Sequence, residues 1–250
     1  VKLAYRLDGP EGAPLLVLSS SLGTTMRLWE PQLDAFTARF RVLRHDHPGH
    51  GDSPSPDGPI AVEELAAAVL GLVDEVGHER FSFCGLSLGG MAGMCLAAGA
   101  PERVDTLTLC CTGAKLGTSA DWLERAATVR ADGMAVLVDR SRERWFTPAF
   151  RESAAAKSYL DELLTIDPEG YARCCEAIAG FDFRDRLGEI EAPTLVLVGE
   201  EDPVTPAEVF ETLSDGIPNS QTVVVPQAAH LANVEQPEAV TAAVLQEICS

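Results

Sequence analysis

Basic residues are scarce in this chain: 19 lysines and arginines stand against 38 aspartates and glutamates, a formal charge of −19. Such a field repels a phosphate backbone along the length of any groove, which argues against nucleic acid as a partner; the acidity itself speaks for solubility, not for a fold. Long apolar runs are missing as well. None approaches the roughly eighteen residues of a membrane span, and Val1 to Asp8 lacks the basic-then-apolar order of a secretory signal. A soluble, cytoplasmic protein with no membrane partner is expected. The seven cysteines (Cys84, Cys95, Cys110, Cys111, Cys174, Cys175 and Cys249) are odd in number and show no CxxC spacing. They are expected to be small core residues in a reducing compartment. Internal repeats and low-complexity tracts are also lacking.

What is present is enough apolar sequence, 46% of 250 residues, to bury one sizeable core. Four short apolar runs, Leu15 to Leu18, Leu107 to Cys111, Thr194 to Val198 and Thr222 to Val225, have the length and branching of strands buried on both faces. Arg41 to His45 and Phe81 to Cys84 add two more. Between them lie amphipathic patterns. Met26, Trp29, Leu33, Phe36 and Phe40 share one helical face, and Val62, Leu65, Ala66, Val69, Val73 and Val76 another. Alternation of this kind predicts an α/β fold, a mostly parallel sheet with helices on both faces. The rhythm breaks between residues 118 and 186, where helical patterns occur without a buried strand, the clearest starting at Asp167-Pro168-Glu169. The expected organisation is a core of residues 1–117 and 187–250, with 118–186 inserted as a helical lid over the strand ends, where open α/β sheets bind ligands.

Gly85-Leu86-Ser87-Leu88-Gly89 joins the strand Phe81 to Cys84 directly to an apolar helical pattern. A tight strand-to-helix turn of this kind holds a serine in a strained conformation and presents its hydroxyl above the sheet, with room only for small residues on either side. Ser87 is therefore the candidate nucleophile. A hydroxyl needs a base to take its proton during attack, and of the five histidines only His230 follows a late strand through a short loop. His78 reads as a solvated helix end. His45, His47 and His50, with Asp46 and Asp52 nearby, make a metal site conceivable, but Pro48, Gly49 and Gly51 read better as a structured turn. Asp202, just beyond the strand Thr194 to Val198, is the best-placed acid to orient the base, with Glu200 and Glu201 as alternatives. Oxyanion donors are expected from the N–H of Leu88 and from the loop Ser19-Ser20-Ser21-Leu22-Gly23, chiefly the N–H of Ser21.

These residues resemble a known group. Ser19-Ser20-Ser21-Leu22-Gly23-Thr24 with Trp29, Asp46-His47-Pro48-Gly49-His50-Gly51, Cys84-Gly85-Leu86-Ser87-Leu88-Gly89-Gly90 and His230-Leu231-Ala232-Asn233-Val234-Glu235-Gln236-Pro237 are similar to the 3-oxoadipate enol-lactonases, α/β-hydrolases of bacterial aromatic catabolism. The chain opens at what looks like that family's second strand. The resemblance implies the α/β-hydrolase fold, a Ser87–His230–Asp202 triad, an acyl-enzyme, a small-molecule lactone or ester substrate, and neither cofactor nor metal. The lactone carries an ionised acetate arm that the acidic background would repel, so a lid arginine is expected to read it. Of Arg125, Arg130, Arg140, Arg142, Arg144 and Arg151, the candidates are Arg130 and Arg144, with Trp145 as a pocket wall. Related esterases, perhydrolases, carbon–carbon bond hydrolases and a non-catalytic ligand receptor remain open alternatives.

Overall fold

Each expected strand is present in a computed structural model of the protein, which describes residues 1–249. In chain order they are β1 (Tyr5–Asp8), β2 (Leu15–Ser19), β3 (Arg41–His45), β4 (Phe81–Leu86), β5 (Val104–Cys110), β6 (Thr194–Gly199) and β7 (Ser220–Val225), arranged β1-β3-β2-β4-β5-β6-β7. All neighbours run parallel except β1, which pairs antiparallel with β3 at the edge. β2, β4 and β6 are buried at every position, as continuous apolar runs flanked by helices on both sides must be. Thr222 to Val225 departs from expectation. It lies in β7 at the opposite edge, where Val224 is 49% exposed, so its branched residues reflect strand propensity and not burial on two faces.

The crossover from β2 to β3 carries α1 (Glu30–Thr37), and the return from β3 to β4 carries α2 (Val62–Glu75). Right-handed connections running in opposite directions across a sheet place their helices on opposite faces. Accordingly α2 packs with α3 (Leu88–Gly99), while α1 packs with the C-terminal helix Pro237–Ile248. Four α-helices fill the stretch between β5 and β6: α4 (Ser119–Asp132), α5 (Val138–Trp145), α6 (Ala154–Leu163) and α7 (Pro168–Gly180). Their ends are set locally. Thr118 and Asp121 form a reciprocal capping box at the start of α4, and the Asp167 carboxylate accepts from the Gly170 N–H ahead of Pro168 in the first turn of α7. α4 lies along α7. The helix that follows Pro206, α8 (Ala207–Gly216), connects β6 to β7, and a short α9 (Ala232–Glu235) precedes α10 (Pro237–Ile248).

Six of the seven cysteines are buried; Cys249, at the C-terminal end of α10, is exposed and so does not share the expected core role. No helix among the described residues is long and apolar enough to cross a membrane.

Candidate active site

The turn between β4 and α3 is as strained as its sequence suggests. Ser87 has φ 56°, ψ −113°, a left-handed-side conformation that a non-glycine residue adopts only when its surroundings impose it. Its N–H donates to Cys110 O at 3.0 Å and its carbonyl accepts from the Thr112 hydroxyl at 2.7 Å, so both sides of the peptide are pinned. The flanking glycines are required by close approach. A Cβ on Gly85 would lie 2.4 Å from the Gly89 backbone, and one on Gly89 would lie 2.4 Å from Ser19 O.

Asp202 and His230 are brought together by the loops after β6 and β7. Asp202 Oδ2 accepts from His230 Nδ1 at 2.9 Å and from the Thr205 hydroxyl, while Oδ1 accepts from the Val204 N–H at 2.7 Å. Burial alone would raise the Asp202 carboxyl. The charge and hydrogen bond of His230, with those of Thr205 and Val204, outweigh it and hold the group below the usual carboxylate range. Glu200 and Glu201, the alternatives, are exposed, and Glu200 reaches only the Gln227 N–H. Nδ1 is thus occupied by the carboxylate, which leaves Nε2 as the imidazole nitrogen available to a hydroxyl. Ser87 and His230 line the same pocket.

Cys111 was not singled out by its sequence context, yet its sulfur lies with the Asp202 carboxylate and the His230 ring inside one cluster whose ligand atoms are all within 4.8 Å of one another. The donor types would suit a metal, but their states do not. Burial first, and Asp202 second, push the Cys111 thiol far above its ordinary value, and both Asp202 oxygens are already engaged. The cluster is a packed support for the aspartate, with Cys111 held at φ 43° by its N–H to Leu197 O at 2.7 Å.

The loop after β2 meets the turn from the other side. Gly89 N–H donates to Ser20 O at 3.1 Å, and His47 Nε2 donates to the same carbonyl at 2.7 Å. His50 accepts from the Gly23 N–H at 3.0 Å through Nε2 and donates to Pro48 O through Nδ1. His47 and His50 are therefore hydrogen-bonding struts for the loop that carries Ser21, and Asp46 caps Met26 and Asp52 N–H groups beside them. Among the described residues, His45, His47 and His50 belong to no cluster of three or more groups that could hold a metal ion. Leu88 is the first residue of α3, so its N–H has no intrahelical acceptor, and Ser21 lines the pocket with Ser87.

The pocket roof comes from α4, α5 and α7, with Trp122, Arg125, Arg140, Ser141, Arg144, Trp145 and Tyr171, and from Leu137 in the 3-10 turn Met134–Leu137 before α5. Of the expected lid residues, Arg144 and Trp145 line this pocket. Arg130 does not. Its guanidinium is tied to Glu169 and Glu176 of α7 on the outer side, because it sits about 100° around α4 from Val129, the buried residue it neighbours in sequence. Arg125 and Arg140 take its place. The signal for Arg140 was available, since it stands one turn before Arg144 on the same face of α5.

Comparison with known proteins agrees with this architecture. The profile of the alpha/beta hydrolase fold matches residues 14–237. The chain is 38% identical over 246 residues to 3-oxoadipate enol-lactonase 2 of Acinetobacter baylyi, covering 98% of this chain and 92% of that protein. The crystal structure of the enol-lactonase from Burkholderia xenovorans LB400 superposes with a TM-score of 0.96 at 39% identity, covering 99% of this chain and 96% of that one. A thermophilic esterase from Thermogutta terrifontis, solved with malate bound, is 30% identical with a TM-score of 0.92, covering 99% and 94%. The chain belongs to the α/β-hydrolase fold family and, within it, to the family of the 3-oxoadipate enol-lactonases.

Proposed function

We propose that the protein is a serine hydrolase that opens 3-oxoadipate enol-lactone to 3-oxoadipate. The observation that carries this reading is a single pocket that holds Ser87, His230 and three arginines under a helical roof, in a chain similar over nearly its whole length to enol-lactonases. Residues 118–186 act in this account as a lid on a core formed by 1–117 and 187–250.

Ser87 Oγ attacks the lactone carbonyl while His230 Nε2 takes the hydroxyl proton, and Asp202 fixes the tautomer and stabilises the imidazolium. The negative charge that develops on the carbonyl oxygen is received by the N–H groups of Leu88 and Ser21. Collapse breaks the ring C–O bond. The enol oxygen leaves with the proton from His230 and ketonises, still tethered through the acyl chain to Ser87. Water, deprotonated by His230, then attacks the acyl carbon, and Ser87 departs with that proton, releasing the open-chain diacid. No step calls for a cofactor. Arg144 and Trp145 hold the acetate arm and wall the ring.

The second reading, a carboxylesterase for other acidic esters, is favoured by the similarity to the Thermogutta esterase, since one triad serves many esters and fold does not set substrate. Steady-state kinetics on the enol-lactone, a neutral chromogenic acetate and a panel of mono-esters of dicarboxylic acids separates the two. The proposal expects kcat/KM for the lactone to exceed every other member by about a hundredfold or more, roughly 2.7 kcal/mol of transition-state preference. A panel member hydrolysed as fast as the lactone would shift the assignment to it.

A further inference from the structure

Arg125, Arg140 and Arg144 line the pocket, with Asp121, Glu124 and Asp202 near enough to be felt electrostatically but none within ion-pair distance of them. None of the three makes an ion pair among the described residues, whereas their neighbours on the same helices do, Arg130 of α4 with Glu169 and Glu176 and Arg142 of α5 with Asp139, as does Arg173 of α7 with Glu169 and Glu176. Arg125 lies 4.3 Å above the Trp122 ring, and its Nε is buried with no partner. Arg140 and Arg144 stand one turn apart on α5 and line the same wall as Ser141 and Trp145. In a protein where acids outnumber bases two to one, 38 to 19, three guanidiniums around one pocket make a local basic patch against an acidic background. Burial holds Arg144 below the ordinary arginine value, with repulsion from Arg140 and Arg125 adding to it; burial and then Arg125 do the same to Arg140. Burial is the larger cause of both shifts and the mutual repulsion the smaller, and it is the repulsion that an incoming anion would relieve. A guanidinium stays cationic at neutral pH.

One carboxylate cannot offset three such charges. The proposed lactone carries one, but hydrolysis creates a second on the acyl carbon next to Ser87, so the charge of the bound molecule doubles as the reaction completes. We infer that Arg125, Arg140 and Arg144 form a dicarboxylate subsite reaching to Ser87, which holds short open-chain diacids more tightly than monoacids and makes the product a competitive ligand. This inference rests on the reading of the pocket as the substrate site and adds the charge class that it prefers. Fork-shaped guanidiniums from two helices can engage both ends of a short diacid, which a single arginine cannot.

Calorimetric titration of the intact protein with adipate and with hexanoate, which differ by one terminal carboxylate, reads the preference without any turnover. Adipate is expected to bind at least about tenfold more tightly, the equivalent of 1.4 kcal/mol, and to compete with hydrolysis of p-nitrophenyl acetate. R140A and R144A should each weaken adipate about tenfold and leave hexanoate less affected, while R130A should bind adipate as the wild type does. Should R144A fail to fold, the exposed R140A and the wild-type comparison still decide. Equal binding of adipate and hexanoate, inorganic phosphate binding as tightly as adipate, or an adipate affinity unchanged in R140A would each overturn the inference. Tight adipate binding by a protein that does not turn over the enol-lactone would instead keep the subsite and reject the lactonase reading; lactone turnover with no diacid preference would do the reverse.

Discussion

Glu235 and Thr147 lie 88 positions apart in sequence and meet inside the protein, where one carboxylate oxygen accepts from both the N–H (2.9 Å) and the hydroxyl (2.8 Å) of Thr147. The other oxygen accepts from the N–H of Ala229 at 2.6 Å, one residue before His230. Beside it the Leu231 N–H donates to Trp145 O at 3.0 Å. The helical segment that roofs the pocket and the loop that carries the proposed base are therefore held by one buried group. A second link of the same kind joins Glu162 of α6 to the Thr25 N–H and hydroxyl in the loop after β2.

Glu235→Gln keeps the shape but turns one acceptor into a donor facing an N–H. A lost charge-assisted bond and an unsatisfied buried group together should cost about 2–4 kcal/mol of stability. Because Ala229 precedes His230, kcat should fall by about tenfold or more even at temperatures where the variant is fully folded. Denaturant titration and kinetics on the same sample check this. An unaltered kcat in a destabilised variant would make Glu235 a purely structural clamp.

Asp202→Asn should leave His230 without the acceptor that fixes its tautomer, lowering kcat by about 10³- to 10⁴-fold. Glu201→Gln, at an exposed position, should change it little. Steady-state rates of both variants on one substrate decide between them; a collapse in Glu201→Gln with an active Asp202→Asn would move the acid one residue back.

The buried turn makes a separate prediction about pH. Burial lowers His45 to about 3, His47 to about 4 and His50 to about 3, with the neighbouring His47 adding to the effect on His45 and His50. In the unfolded chain each titrates near about 6.5. The unfolded state therefore binds more protons between those values, so the stability these groups contribute is complete above about pH 6.5 and is lost as pH falls toward 4. His45 has no partner at either ring nitrogen, which makes it the cleanest to remove. In His45→Leu the slope of unfolding free energy against pH over this window should decrease by about 1.4 kcal/mol per pH unit. An unchanged slope would mean that His45 is not held neutral in the fold.

The elements legible in the sequence are those whose constraints are local. The strand-to-helix turn at Ser87 advertises itself through Gly85 and Gly89, where a Cβ would lie 2.4 Å from neighbouring backbone atoms. Asp202 and His230 were legible as residues just past strands, because a parallel sheet delivers all such loops to one edge. The arginines were less so. Which of them face the cavity depends on how α4 rotates against α7, and the ion pairs that draw Arg130 outward come from Glu169 and Glu176, about 40 residues away. Glu235 stood in the motif after His230 and Cys111 at the end of a strand, but their roles were not legible, since the contacts that define them reach segments distant in the chain. The exposure of β7 followed from its place at the sheet edge, a property of topology that six residues of sequence do not carry.

The central claim is that Ser87, held in its strained turn, attacks the enol-lactone. Its most direct test is the rate of loss of the enol-lactone's ultraviolet absorbance with wild-type protein and with Ser87→Ala, the latter shown to be folded by circular dichroism. The account predicts rapid turnover by the wild type and a fall of about 10³-fold or more in the variant, the residual rate coming from binding and the oxyanion donors alone. A folded Ser87→Ala protein that kept more than a few per cent of the wild-type rate would contradict it.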